Sequence, residues 1–426
     1  MERDHVKYCT YLQILEEELI PAMGCTEPIA LAYGAAKARE VLEELPDRVL
    51  VQVSGSIIKN VKSVIVPNTD HLKGIPAAVA AGIVAGQPER QLEVIATVSR
   101  QEIQKMKEFL DTTKIQMEHI DYGPVFDLII TVFKGSSYAK VRITDFHTNI
   151  ILIEKDGQIL LEKEAAAGSD KEVRADRSLL DMESIWDFAM TVDVEDVREV
   201  LERQIRCNTA IASEGLRGRY GACMGRTLLK VYGDDIRIRA KAKAAAGSDA
   251  RMNGCEMPVV INSGSGNQGI TASVPVIEYA EELNSGEEKL FRALVLSNLT
   301  AIHQKTWIGT LSAFCGVVSA GAAAGAGIAY LRGGGYREVI HTIVNSLAIV
   351  SGIFCDGAKA SCAAKIAASV DAAILGYEMY CQGQEFEGGD GIVMKDVEAT
   401  IRSIGYIGRE GMRDTNEKII NMMMEE

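Results

Sequence analysis

The spacing of apolar positions changes along this chain and predicts two structurally different regions. Residues 6–45 have the composition of two helices, which are interrupted by a loop at 21–28. From residue 48 onward, short runs rich in β-branched residues alternate with helical segments, as is typical of an α+β domain. The predicted strands are 49–54, 63–67, 92–96, 114–117, 128–132, 139–143 and 150–153, and the predicted helices between them are 75–85 and 100–110.

Beyond about residue 185 the strand signals almost vanish and helical patterns fill the rest of the chain. The stretch 162–180 is acidic and irregular, which is typical of a linker. We therefore predict an α+β N-terminal domain, residues 1–185, followed by a larger all-helical domain, residues 186–426. Its helices are predicted at 195–206, 208–230, 236–246, 271–284, 287–306, 310–331, 336–353, 359–378 and 394–402.

One segment, 307–331, carries no charge and is long enough for a membrane-spanning helix. Its many glycine, alanine and serine residues make it only weakly hydrophobic, and the sequence contains no second long apolar span. A helix that is apolar on all sides also suits the centre of a large helical domain. We interpret the segment in this way and expect no membrane association.

Composition narrows the classes of partner. Aromatic residues are scarce at 6%, so the abundant glycine and alanine predict closely packed helices. The net charge of −14 argues against nucleic acid, which requires a basic face. The charged N-terminus has no apolar signal region, and the nine cysteines are expected to be thiols in a reducing cytoplasm. We expect a small-molecule partner, and the sequence leaves open whether the chain forms a homo-oligomer.

Three cysteines in the last third of the chain are candidate metal ligands. Cys315, Cys355 and Cys362 offer three soft thiolates without an obvious fourth, which suits an iron–sulfur cluster with one open iron. On an unbroken helix, Cys355 and Cys362 would be separated by about 10 Å of axial rise. Gly357 offers a break that would bring them closer. Because the tight Cys-x-x-Cys spacing is absent, inert thiols remain an open alternative.

Cys25 is a candidate reactive thiol. Thr26 can act as an N-cap with Pro28 in the first helical turn, which would place Cys25 just outside a helix N-terminus. The helix dipole there would lower the pKa of the thiol. A buried hinge cysteine is the alternative.

A polar, glycine-rich loop at 260–270 is a candidate binding loop. Successive glycines bring backbone N–H groups close to a ligand, which suits a carboxylate. A phosphate is disfavoured because no Gly-Lys-Ser/Thr ending and no strand-to-helix context of the dinucleotide-binding type are evident, and a flexible surface loop remains the alternative. The side chains that would take part are Asn262, Ser263, Ser265, Asn267 and Gln268.

Two further polar clusters lie at the ends of predicted elements. His147, Thr148 and Asn149 follow a strand, and the segment 68–71 precedes a helix of small residues. Either cluster can be explained as turn chemistry, in which Asn and Asp bond to their own backbone. That explanation is favoured for His71 and is balanced against a functional role for His147.

Several of these segments together resemble a known family. The runs at 22–30, 262–269 and 355–362 are similar to those of the L-cysteine desulfidase family, which is related to the iron–sulfur L-serine dehydratases through their α-chain domain. The segments 60–62, 147–149 and 408–412 also fit, so the resemblance spans essentially the whole chain.

The resemblance implies a 4Fe-4S enzyme that eliminates sulfide from an amino-acid substrate, L-cysteine, giving pyruvate and ammonia. Cys315, Cys355 and Cys362 match the family's cluster ligands, and Cys25 matches its proton-transfer residue. The dehydratases carry Ser-Ser-His-Thr where this chain has residues 24–27, which favours cysteine as substrate. The alternatives are an L-serine dehydratase that uses the same cluster and a non-catalytic thiol or metal redox sensor.

Overall fold

The computed structural model describes residues 1–163, 174–309 and 311–425. An N-terminal region that mixes helices and strands is followed by a larger helical region, so the predicted fold class is confirmed. The linker prediction at 162–180 falls largely outside the described residues, and the domain division at residue 185 stays a prediction. The elements of the first region are α1 (Val6–Glu18), β1 (Pro21–Met23), α2 (Thr26–Leu42), β2 (Arg48–Ser54), α3 (Gly55–Val61), α4 (Gly74–Ala85), α5 (Arg100–Thr112), β3 (Lys114–Ile120), β4 (Asp127–Lys134), β5 (Ser137–Thr144), β6 (Ile150–Lys155) and β7 (Gln158–Glu162).

The second region is helical apart from one short strand among its described residues. Its elements are α6 (Met182–Thr191), α7 (Val194–Arg217), α8 (Met224–Tyr232), α9 (Ile236–Met252), β8 (Pro258–Val260), α10 (Gly266–Glu282), α11 (Glu287–Ile308), α12 (Gly316–Leu331), α13 (Tyr336–Val350), α14 (Cys362–Cys381), α15 (Val397–Tyr406) and α16 (Arg413–Glu425).

The main sheet of the described chain has the strand order β3-β2-β4-β5-β6-β7. Strands β2 and β3 are parallel, which requires a crossover, and α3, α4 and α5 supply it. In β2 the alternate residues Val49, Val51 and Val53 are fully buried, as expected for a strand with one face on the core. The neighbouring strands β4 and β5 pack against α2, and α4 packs against α2 in turn.

Small residues bring the helices unusually close together, as the composition predicted. A Cβ atom on Gly82 of α4 would lie 2.1 Å from the carbonyl oxygen of Ala32 in α2. In the helical region, a Cβ atom on Gly215 of α7 would lie 1.9 Å from the carbonyl oxygen of Ala246 in α9. Because real Cβ atoms cannot approach backbone this closely, these two helix pairs require glycine.

Two predicted strands are absent. In the segment 63–67, Ile65 forms only an isolated bridge with Lys73, and the preceding helix α3 was not predicted. The predicted strand at 92–96 overlaps the end of a 3-10 helix, Pro88–Glu93. A short apolar run becomes a strand only where a neighbouring strand offers backbone partners, and both runs instead fill the core beneath loops. The prediction was wrong because such a run does not reveal what lies beside it.

Several helix boundaries also differ from the prediction. The predicted pair at 195–206 and 208–230 is instead one continuous α7 followed by α8, with a break that contains Gly221 and Cys223 in left-handed conformations. Helix α10 begins at Gly266 instead of 271. It follows the three-residue strand β8, which pairs antiparallel with β1.

A two-stranded ribbon joins the N-terminal loop to the helical region. Strand β1 pairs antiparallel with β8, so that Pro21 lies opposite Val260 and Met23 lies opposite Pro258. The loop that contains Cys25 and the loop 262–269 are in contact, because the Thr26 hydroxyl donates to the Gly264 carbonyl oxygen at 2.9 Å. No helix in the described part of the chain is long and apolar enough to cross a membrane, and α12 is buried along nearly its whole length.

Candidate active site

One cavity of about 100 Å³ collects most of the side chains that the sequence singled out. Asn262 is instead fully buried and donates to Asn298 Oδ1 at 3.0 Å, while Asn149 donates to the carbonyl oxygen of Thr144 at 3.0 Å and closes its own turn. Thr148 belongs to the same turn and does not line the cavity. The predicted residues that line it are Cys25, His147, Ser263, Ser265, Asn267, Gln268, Cys315, Cys355 and Cys362.

Backbone pairing holds Cys315 and Cys355 next to each other. Phe314 and Phe354 form an antiparallel bridge. The Cys315 N–H donates to the Ile353 carbonyl oxygen at 3.1 Å, and the Cys355 N–H donates to that of Ala313 at 2.5 Å. Two cysteines that are forty residues apart in the sequence are thereby fixed on adjacent strands of chain.

Gly357 turns the chain from Cys355 toward Cys362, as the sequence predicted. Its φ of +95° is unfavourable for other residues, and a Cβ atom there would lie 2.2 Å from the Lys59 carbonyl oxygen. Helix α14 begins only at Cys362, so the two cysteines do not share a helix. The wide separation that an unbroken helix would impose is therefore avoided.

Four helices begin at this cavity. The N-cap residues of α2, α10, α12 and α14 are Cys25, Ser265, Cys315 and Ser361, and none of these side chains caps its helix within the described structure. The first N–H groups of a helix lack intrahelical partners, and the dipole adds partial positive charge at the same end. The four helix ends therefore favour a negatively charged occupant.

Cys25 is the N-cap of α2, and Thr26, the predicted N-cap, is its first helical residue. The thiol is 3% exposed and donates to Glu27 Oε2 at 3.1 Å. Burial raises the pKa of Cys25 well above its usual value, and the Glu27 carboxylate raises it further, although Arg251 acts in the opposite direction. The expected lowering of this pKa was wrong because burial and a neighbouring anion outweigh the helix dipole.

Glu27 is a buried carboxylate at the centre of this network. Burial alone would raise its pKa, but the nearby His147, the Cys25 hydrogen bond and Arg251 outweigh burial and hold the pKa below its usual value. Its second oxygen accepts a hydrogen bond from Asn60 Nδ2 at 2.9 Å. The carboxylate is therefore ionised at neutral pH and remains hydrogen-bonded to the Cys25 thiol.

His147 contributes a neutral imidazole to the cavity. Burial lowers its pKa, with Glu27 opposing and Arg251 reinforcing that shift. The ring packs edge-on against Phe126 with a centroid distance of 4.8 Å, and Nε2 has no hydrogen-bond partner among the described residues. The imidazole can thus exchange a hydrogen bond with a ligand.

Two buried lysines lie beside the cluster of thiols. Lys59 is 2% exposed and donates to Asn416 Oδ1 at 2.6 Å, and Lys305 is 7% exposed with no hydrogen bond or ion pair to any described residue. Burial lowers the pKa of both, whereas Cys355 and Cys315 act to raise it. Buried ammonium groups without an anionic partner are costly, so the site has a deficit of negative charge.

The thiols and lysines together offer the soft donors and the positive charge that suit an iron–sulfur cluster. Burial raises the pKa of Cys315 to about 12 and also raises that of Cys362, so metal binding must displace their protons. No group of His, Cys, Asp or Glu in the described chain is arranged to hold one metal ion. A cubane cluster binds each thiolate at a different iron, so its ligand sulfurs lie farther apart. The negative charge of such a cluster would offset the positive charge of the two lysines.

Lys305 makes the stability of the cofactor-free protein depend on pH. Burial lowers its pKa from 10.5 to about 8. Between these values the unfolded chain holds a proton that the folded protein has lost, so the free energy of unfolding rises with pH through this window. We expect Lys305→Met to be more stable than the wild type at pH 7 by up to about 3 kcal/mol, with the difference shrinking between about pH 8 and 10.5.

Denaturant titrations at several pH values measure this difference. The matched control is Lys395→Met, because the Lys395 side chain is 85% exposed. A difference between Lys305→Met and the wild type that does not change with pH would contradict the explanation.

Sequence reasoning missed several charged residues at the cavity. Arg251 and Lys305 line it directly, and Lys59 lies behind Cys355. Each is a basic residue within a helix that is otherwise largely buried, and this anomaly in the sequence was the available signal. Glu27 lay within a motif that was singled out for its cysteine alone.

The segment 68–71 lies away from this cavity and borders a separate cleft of about 480 Å³. Asn68 donates to the Ile95 carbonyl oxygen at 2.7 Å, and Asp70 pairs with Lys107 at 2.5 Å. Asn68, Asp70 and His71 all have left-handed backbone conformations. The left-handed conformations agree with a turn, and the Thr69 hydroxyl closes it by donating to the Val66 carbonyl oxygen at 2.7 Å. Asn68 and Asp70, however, bond to residues outside the segment and not to their own backbone.

Comparison with known proteins connects this site to a family. The family model described as serine dehydratase alpha chain matches residues 89–421. A UPF0597 protein of Desulfitobacterium hafniense is 61% identical and covers 100% of this chain and 99% of its own length. UPF0597 proteins of Lachnoclostridium phytofermentans and Treponema denticola are 52% and 45% identical over 98% and 100% of this chain and the whole of their own lengths. The chain therefore belongs to the serine dehydratase alpha-chain family.

Proposed function

We propose that this protein is a 4Fe-4S-dependent lyase that eliminates hydrogen sulfide from L-cysteine and yields pyruvate and ammonia. The observation that carries the proposal is the convergence of Cys25 with Cys315, Cys355 and Cys362 on one cavity. Cysteines from distant parts of the chain meet where four helix N-termini favour an anion. Structural cysteines have no reason to gather around a cavity whose lining includes charged and amide side chains in this way.

Cys315, Cys355 and Cys362 would hold the cluster through their sulfur atoms. When bound, the cluster would supply an open iron as a Lewis acid for the substrate. Lys59 and Lys305 would offset its negative charge, and the bridge between Phe314 and Phe354 fixes two of the ligands before the cofactor arrives.

Cys25 would act as the base that removes the Cα proton of the substrate. Its thiol already donates to Glu27 Oε2, and the raised pKa of Cys25 and the lowered pKa of Glu27 keep the proton on sulfur in the protein alone. Transfer of that proton to Glu27 would therefore have to accompany substrate binding, and it would leave a thiolate facing the cavity. The thiolate would take the proton from Cα, the electron pair of that bond would form the Cα–Cβ double bond, and the Cβ–S bond would break to release sulfide. The resulting aminoacrylate would tautomerise to an imine, which water hydrolyses to pyruvate and ammonia.

The glycine-rich loop would orient the substrate. Asn262 and Ser265 exchange backbone hydrogen bonds at 3.1 Å, and Ser263 donates to Asn262 Oδ1 at 2.9 Å, so the loop is held in a defined shape. Asn267 and Gln268 lie in the first turn of α10 and line the cavity.

The turn at 147–149 would act mainly through His147. Thr148 and Asn149 hold the turn, and the neutral imidazole of His147 reaches the cavity.

L-serine dehydration is the second candidate function. The matching family model is that of a serine dehydratase alpha chain, and the proposed elimination needs only a leaving group on Cβ. A cavity that accepts a β-thiol will often admit a hydroxyl as well.

The experiment is anaerobic reconstitution with iron and sulfide, followed by parallel assays on L-cysteine and L-serine. We expect a broad visible absorbance, together with sulfide and pyruvate from L-cysteine at a higher kcat/KM than pyruvate from L-serine. Pyruvate from L-serine alone would favour the second candidate, and a colourless, inactive protein after full reconstitution would refute both.

A further inference from the structure

Three buried polar atoms at the cavity lack hydrogen-bond partners among the described residues. They are Nε of Arg251, Nε2 of His147 and Oδ1 of Asn267, and all three residues are at least nine-tenths buried. Buried polar atoms are nearly always hydrogen-bonded. Three exceptions around one cavity point to a ligand that supplies the missing hydrogen-bond partners.

Arg251 is the most unusual of the three. Its side chain is 2% exposed, and its guanidinium forms no ion pair within the described structure. Its one hydrogen bond to a described residue is a long contact of 4.0 Å from a terminal guanidinium nitrogen to the sulfur of Met252. An unpaired buried charge is costly. Arg251 thus carries positive charge that no residue of the described chain neutralises by direct contact.

Glu27 is the anion near Arg251, but its oxygens are already used. Oε2 accepts from the Cys25 thiol, and Oε1 accepts from Asn60 Nδ2. Arg251 lies close enough to favour the ionised form of Glu27, yet no ion pair forms between them. The forked N–H donors of the guanidinium therefore remain available for a second carboxylate.

The first turn of α10 lies directly against Arg251. A Cβ atom on Gly266 would be only 2.3 Å from Arg251 Nε, so the guanidinium can occupy this position only because residue 266 is glycine. The N-terminus of α10 has no side-chain cap within the described residues. A full positive charge and the positive end of a 17-residue helix therefore meet at one point, which suits a carboxylate.

We propose that Arg251 binds the α-carboxylate of the substrate and that Asn267 Oδ1 accepts a hydrogen bond from its α-ammonium group. This inference rests on the proposed lyase function and assigns the substrate class, namely an α-amino acid with a free carboxylate. Arg251 and Cys25 line the same cavity, so a carboxylate held by Arg251 would share that cavity with the proposed base. Amines that lack the carboxylate are expected to bind only weakly.

Isothermal titration with two non-reacting ligands tests the assignment. L-Alanine has no leaving group on Cβ, and L-alaninamide differs from it in having a neutral amide in place of the carboxylate. We expect the full-length protein, before and after anaerobic reconstitution, to bind L-alanine at least about tenfold more tightly than L-alaninamide. Arg251→Gln should lose that preference, and Arg251→Lys should keep part of it. Arg237→Gln, an exposed position on the same helix, should keep it fully.

The preference between the ligands separates recognition from a merely structural role. A structural role would weaken both ligands equally in Arg251→Gln and leave the preference intact, which would overturn the proposal. Failure of the wild type to bind L-alanine, or equal binding of both ligands, would also overturn it. A preserved preference in a protein that releases neither sulfide nor pyruvate would instead refute the lyase function and leave the carboxylate site standing.

Discussion

Cys355→Ser is expected to lose the iron–sulfur cluster and the lyase activity together. A serine hydroxyl is a poor replacement for a soft thiolate, and the remaining two cysteines leave a second iron without a protein ligand. Iron content should fall from about four atoms per chain toward zero, the visible absorbance should disappear, and turnover should drop by at least about a hundredfold. Metal analysis, absorbance and the sulfide assay on anaerobically reconstituted protein measure the three effects.

Cys381→Ser is the matched control for this loss. Cys381 ends the helix that Cys362 begins, and it is exposed, whereas Cys362 faces the cavity. The control should keep full iron content and activity. A Cys355→Ser protein that retained its cluster would show that the three thiols do not act as the ligand set, and the proposed chemistry would lose its basis.

The proposed ligand cysteines were singled out in the sequence as three thiols without an obvious fourth, and the glycine between two of them is a local feature. Gly357 signals a break in the chain whatever surrounds it, and the structure shows that break. The approach of Cys315 to Cys355 could not be derived in this way. It depends on a bridge between Phe314 and Phe354, which are brought together by the packing of α12 against α13 and α14.

The error over the pKa of Cys25 has a different cause. The sequence correctly placed the thiol at a helix N-terminus, where the dipole favours a thiolate. It did not reveal that the thiol would be 3% exposed or that the Glu27 side chain would turn back to accept a hydrogen bond from it. Burial depends on the whole fold, and for an ionisable group it commonly outweighs a local dipole.

The convergence of the charged residues on the cavity could not be predicted from the sequence either. Arg251 and Lys305 lie within α9 and α11, whose patterns predict buried helices without revealing which faces meet. Their helical periods are visible in the sequence, but their convergence requires the relative placement of two helices about fifty residues apart. A basic residue in a buried helix was the only local sign, and it does not identify a partner.

Cys25→Ser is expected to keep the cluster and lose the elimination reaction. A serine hydroxyl holds its proton far more tightly than a thiol, so removal of the Cα proton should slow by roughly a hundredfold to ten-thousandfold. Iron content and visible absorbance should match the wild type, because the sulfur atoms of the three ligand cysteines are unchanged. Steady-state assays on L-cysteine, together with exchange of the Cα proton for solvent deuterium, measure the proton-transfer step directly.

Glu27→Gln, with Thr26→Ser as its control, tests whether Cys25 requires the Glu27 carboxylate as a proton acceptor. Glutamine cannot take a proton from the thiol, so Glu27→Gln should also lose turnover while retaining iron. Thr26→Ser keeps the hydroxyl that donates to the Gly264 carbonyl oxygen at 2.9 Å and should remain close to wild type.

Loss of iron from Cys25→Ser would identify Cys25 as a fourth cluster ligand instead of the base. Unchanged proton exchange in that variant would transfer the role of base to another group at the cavity, and neutral His147 would be the first to examine because its Nε2 has no partner in the described structure.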